Sequence, residues 1–150
     1  DLSLLSASVI PINNLEDTTP PPRLDEIVLG DRPMDDGSAL DLEFGLSTAS
    51  DIYQYEVYAA SWSFTSVGVG SDGPNAPIMT LDRLPEFPLI LTIIAGDLPV
   101  LPGQETWVAV VAVDSAANAH KTDLTVVSSQ SVPILPDTKA LNVAAVPIMV

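Results

Sequence analysis

The sequence predicts an all-β chain: an antiparallel β-sandwich with additional strand segments at its N- and C-terminal ends. Three observations predict it. Fourteen prolines and eight glycines break the 150 residues into short windows, and few of these are long enough for a stable helix. Between the breaks, apolar residues recur every second position and are often β-branched, the pattern of half-buried strands. Six or seven such runs fall within about 110 residues, which favours a sandwich over a small barrel.

The elements follow in order. Residues 24–29 read as a first strand. Residues 39–44 alternate, with Leu40, Leu42 and Phe44 on one face. Residues 52–60 place Tyr53, Tyr55, Val57 and Ala59 together. The stretch 61–86 holds one short strand near 64–69 and then a Gly/Pro/Asn loop. Residues 88–94 are almost wholly apolar, a strand buried on both faces or covered by the long loop before it. Residues 106–114 carry Trp107, Val108, Val110, Val111 and Val113 and give the strongest strand signal. Residues 124–128 form a last strand that continues to Val132.

Composition bounds the function. The apolar share is 47%, enough for a core. Twenty acidic residues face five basic ones, a net charge of −15. That excludes a nucleic-acid binder that works by neutralising phosphates and disfavours an anionic membrane surface. There is no cysteine, hence no disulfide, thiolate metal site or cysteine nucleophile. The longest near-continuous apolar run, 88–95, is too short to span a bilayer, so a soluble segment is expected. No leader-like segment precedes Asp1; any leader is expected to have been removed or to lie outside this segment.

Residues 1–12 (DLSLLSASVIPI) align without gaps to residues 123–134 (DLTVVSSQSVPI), at an offset of 122. Five positions are identical and four more exchange Ser for Thr, Leu for Val or Ile for Val. Tandem modules are therefore expected. Residues 1–12 form the last strand of a preceding module or a donated strand, and 13–22 a linker. Residues 23–134 make one sandwich, and 135–150 a linker with the start of the next module or an interacting tail. An apolar strand without its own sheet must pair elsewhere, because its backbone groups and side chains are otherwise left open. The expected partners are adjacent modules or copies of the chain. Leu2, Leu4, Val9, Ile10 and Ile12 are expected contact residues, with Val146 and Ile148 of the C-terminal segment.

The residues also resemble the fibronectin type III family, a sandwich of two antiparallel sheets, over 20–134. Pro20-Pro21-Pro22 is similar to that family's proline-rich start. Residues 40–44 match a strand that ends in Trp in the family and in Phe44 here. Residues 51–58 resemble its Tyr-x-Val-Tyr strand, and 107–118 its Tyr-x-Val-x-Val-x-Ala-x-Asp-x-x-Gly-Asn strand and turn. Trp107 replaces the usual Tyr, and Ala117 replaces the turn glycine, so that turn is expected not to need a positive φ. Residues 31–40 also resemble fibronectin-type modules of very large archaeal surface proteins.

Placed on that frame, Asp51, Asp114 and Asn118 fall on loops at one end of the sandwich, where the linker residues Asn13, Asn14, Glu16 and Asp17 arrive. Oxygen ligands of this kind suit calcium; the alternative is turn-forming, solubilising charge. Asp31, Asp35, Asp36 and Asp97 belong to the opposite end. No catalytic motif occurs: His120 follows Asp114 and Ser115 closely, but no Gly-x-Ser-x-Gly elbow exists. The expectation is a non-catalytic structural or adhesive module of an extracellular, cell-surface protein or filament, with Trp62, Phe64 and Phe87 either as a contact surface or, equally, as part of the core. The alternative is a carbohydrate- or protein-binding accessory module of a secreted enzyme, for which exposed Trp62 and Tyr58 would serve as stacking faces.

Overall fold

The structure, a computed structural model, describes residues 16–83, 89–94 and 102–132. The expected segments 1–12 and 135–150, with Asn13, Asn14, Phe87, Asp97, Val146 and Ile148, lie outside the described residues. Seven strands are present: β1 Ile27–Asp31, β2 Ala39–Phe44, β3 Ile52–Ala60, β4 Met79–Asp82, β5 Leu89–Ile94, β6 Glu105–Asp114 and β7 Val127–Gln130. No helix occurs among the described residues. The strands form two antiparallel sheets, ordered β1-β2-β5 and β4-β3-β6-β7.

The inner core lies between the sheets. Leu40, Leu42 and Phe44 of β2 meet Val57 and Ala59 of β3 and Val108, Val110 and Ala112 of β6, all buried. Burying each large side chain contributes about 1.5–3 kcal/mol. The Phe44 and Tyr55 rings pack tilted, 5.4 Å apart, and the Tyr55 hydroxyl accepts a hydrogen bond from the Ser47 amide.

Strict alternation on β3 fails at one place. Ile52 pairs with Asp114 and Gln54 with Val113, so Tyr53 is an extra residue opposite no partner. This bulge reverses the phase of the pleat. Ile52 joins Tyr55 and Val57 in the core, while Tyr53, expected beside them, is 61% exposed.

The segment 61–78 forms a cover rather than the expected strand near 64–69. The outer face of the four-stranded sheet presents Tyr58, Ala60, Ala109 and Val111; Phe64 and Val67 of the cover close over it, with Leu124 and Val126 at one side. β6 is enclosed on both faces: its residues from Val108 to Asp114 are all buried. Polar fastenings hold the cover. The Asp72 carboxylate accepts hydrogen bonds from the amides and hydroxyls of both Thr65 and Ser66, and the Asp72 carbonyl accepts one from Trp62 Nε1. The Ser66 hydroxyl bond leads, with Thr65 and the two amides adding, and the Asp72 carboxyl is held down to about 2. Gly73 is required: a Cβ there would stand 2.2 Å from the Ser66 carbonyl oxygen and 2.8 Å from the Phe64 ring.

Candidate functional site

The two ends of β6 mark the two ends of the sheet pair. At its C-terminal end, Asp114 accepts hydrogen bonds on Oδ1 from the Ala116 and Asn118 amides and on Oδ2 from Asn118 Nδ2. Asn118 Nδ2 also donates to the Asp17 carbonyl, so the incoming segment is tied to the turn that ends β6. Asp51, from the loop before β3, accepts the Ser115 amide on its carbonyl. The result is a cluster in which one carboxylate oxygen from each of Asp17, Asp51 and Asp114 lies within 4.8 Å of the others. Asp17 and Asp51 are exposed; Asp114 is buried. Burial alone would raise the Asp114 carboxyl, but the Asn118 side chain and the two amides outweigh it and hold the pKa below its ordinary value.

An all-carboxylate set is hard-oxygen chemistry, the donor type that takes calcium or magnesium. Of the residues expected at this end, Asp17, Asp51 and Asp114 bring carboxylate oxygens together, and Glu16 is not among them. Asn118 instead enters through its amide nitrogen, a donor, and acts as the tether between Asp17 and Asp114.

The turn itself differs from expectation. Ala117 adopts φ 67°, the left-handed region that the glycine in the resembled motif would occupy freely. The Asp114 carboxylate captures the 116 and 118 amides, which closes the turn and forces residue 117 into that conformation whatever its side chain.

At the other end of β6, Glu105 pairs with Gln130. Here Val132 is held: its amide donates to Asp31 Oδ1 at the end of β1. Asp35 and Asp36 sit in the β1–β2 turn, where their carboxylates accept the amides of Gly37, Ser38 and Ala39.

The expected contact surface divides. Trp62 is 51% exposed, whereas Phe64 is buried because the outer face of the sheet needs an apolar lid. Tyr58, weighed as a stacking face, is also buried. Its hydroxyl donates to Glu56 Oε2, which Lys121 Nζ approaches to 3.1 Å; burial first and then Glu56 push the phenol well above its ordinary pKa. A shallow groove of about 190 Å³ runs between residues 22–26 and 45–48, and its Arg23 is ion-paired to Asp25 and Asp123. Asp25, Asp36, Asp72 and Asp114 are all shifted downward, as structural acceptors are, rather than upward like a general acid.

No protein-family model and no curated protein matches the sequence. Among solved structures, 75% of the chain is similar to 28% of the spore cortex lytic enzyme SleM of Clostridium perfringens, with TM-score 0.50 and 12% identity. A second likeness, over 77% of the chain and 13% of the β-1,2-glucanase of Parabacteroides distasonis, has TM-score 0.45 and 21% identity. The first is a likeness of fold. The chain spans less than a third of either protein.

Proposed function

We propose that this chain is a non-catalytic structural module of an extracellular surface protein or filament, a fibronectin type III-like sandwich joined head to tail to copies of itself. The observation that carries the reading is where the chain comes in and goes out. Asp17 arrives beside Asp114 and Val132 leaves beyond Glu105, at opposite ends of one ten-residue strand about 30 Å long. A module threaded from pole to pole extends a chain. The repeat at an offset of 122 residues supplies the neighbour's last strand, with a short link, 13–16, before Asp17. Strand order supports the finer assignment: β4 pairs with β3, in the sheet of β6 and β7, rather than joining β1, β2 and β5 as the fourth strand does in immunoglobulin constant domains.

Two full chains joined in tandem test the reading by small-angle scattering. The expected particle is about twice as long as the single chain; a compact side-by-side particle overturns it. In the same reading, a hard cation such as calcium at Asp17, Asp51 and Asp114 fastens the link to the sandwich. Millimolar calcium is expected to raise the melting temperature of the chain but not of Asp51→Asn. An unchanged wild-type value leaves the fastening to Asn118 alone.

The second reading, an accessory module of a secreted enzyme, is favoured by the half-exposed Trp62 ring on the cover and by the likeness to part of a lytic enzyme. It requires retention on insoluble polysaccharide that Trp62→Ala abolishes; no retention rejects it.

A further inference from the structure

The repeat at the two ends of the sequence acquires a physical meaning once the contacts of its second copy are known. Asp123 accepts Arg23 Nη1 on its carbonyl and its carboxylate. Leu124 and Val126 pack into the outer core and Val127 into the inner one. The Thr125 hydroxyl donates to Asp25 Oδ1, and the Ser128 hydroxyl to Glu105. The aligned residues are Asp1, Leu2, Ser3, Leu4, Leu5 and Ser6: an acid, a leucine, a hydroxyl, two aliphatics and a serine, the same chemistry at all six positions. The copies diverge at Ala7, Ser8 and Val9, against Ser129, Gln130 and Ser131, where the strand contributes backbone pairing to β6 and to the Gly103 amide. Similarity is kept over 123–128, where the side-chain contacts are made, and relaxed at 129–131, where the strand pairs through its backbone and only the Ser131 side chain is buried.

We propose that the position of β7, against β6 and the β1 lead-in, is a strand-acceptance site, and that its alternative occupant is residues 1–12 of a second copy of this chain. This deepens the head-to-tail reading by naming the contact through which separate copies join. The donor cannot be the same chain. Ile10 would take the place of Val132, beyond the Glu105 end of β6, whereas Asp17 is fixed at the Asp114 end. The poles lie about 30 Å apart along β6, and seven residue steps from 10 to 17 reach at most about 25 Å. A second copy has no such tether. Its strand competes with residues 123–134 on nearly equal terms, apart from the local concentration advantage of the resident strand.

The absence of cysteine from the chain allows a direct test. Glu105 and Gln130 are register partners and both are exposed, so the alignment puts Ser8 of the donor opposite Glu105 of the acceptor. Full chains carrying Glu105→Cys and Ser8→Cys are mixed and oxidised, and the mixed disulfide is counted by mass spectrometry. The control donor is Ala7→Cys, whose residue faces the other side of the sheet. The expected result is at least tenfold more mixed disulfide with Ser8→Cys than with the control, and more again when Val127→Gly weakens the resident strand of the acceptor. Equal yields from the two donors overturn the proposal. So does a chain carrying both Glu105→Cys and Ser8→Cys that cross-links as a monomer. If Val127→Gly does not fold, the comparison of the two donors on the otherwise unaltered acceptor still decides. The scattering of the covalent tandem does not depend on exchange between separate chains, so the two tests fail independently.

Discussion

The two faces of the four-stranded sheet are buried by different means. On the inner face, strands of both sheets interdigitate, and each apolar residue stands where the pleat puts it. On the outer face, an irregular segment lies flat over Tyr58, Ala60, Ala109 and Val111, with Phe64 and Val67 as its apolar contacts and Asp72 as its polar fastening. The inner core is cooperative because two sheets depend on it. The outer core is a lid, and its loss is expected to leave both sheets paired. Equal burial of Phe44 and Phe64 therefore predicts unequal consequences.

Phe44→Ala is expected to have the largest effect, lowering global stability by about 3–5 kcal/mol in denaturant unfolding, with all amides losing exchange protection together. Phe64→Ala removes a ring of the same size, and the expected loss is confined to the cover. Protection of the Val67, Gly68 and Leu124 amides falls, while that of β2, β3 and β6 stays near wild type. Uniform loss in both variants breaks the distinction between core and lid.

Acid sharpens it further. The Asp72 carboxyl is depressed to about 2. A carboxyl lowered on folding stabilises fully above its unfolded pKa, and that contribution disappears as pH falls through the folded one. The cover should stay closed down to about pH 4 and open progressively between pH 4 and 2, followed by Trp62 fluorescence. Asp72→Asn should remove that transition and leave the cover looser at neutral pH. The smallest effect is a gain. Ala117→Gly relieves a left-handed alanine in the turn that carries the chain from β6 toward the outer face, and should add about 0.5–1 kcal/mol, read as a higher melting temperature.

Much of the inner face is legible in the residues themselves. Leu40, Leu42 and Phe44, or Val108 and Val110, declare their face by period, because a strand has only two. The carboxylate end is placed by the fibronectin type III resemblance, which puts Asp51, just before β3, and Asp114, the last residue of β6, on loops at one end, where Asp17 arrives with the linker. Tyr53 was misread because a bulge is a choice of the pair of strands, which neither sequence displays alone. Ala117 was misread because its φ is imposed by hydrogen bonds from the amides on either side of it to Asp114.

By itself the sequence determined the all-β class, the two-faced strands, the acidic character and the motif repeated at 1–12 and 123–134. These follow from local periodicity and composition, which need no knowledge of what packs where. Only the tertiary structure decided that 61–78 closes over a sheet, that Phe64 and Tyr58 are interior, and that Asp17 and Val132 lie toward opposite ends of β6. Irregular backbone has no period to read. Its position is fixed by long-range contacts such as Val67 to Lys121 and Leu124 to Thr65, which exist only once the sheet is built.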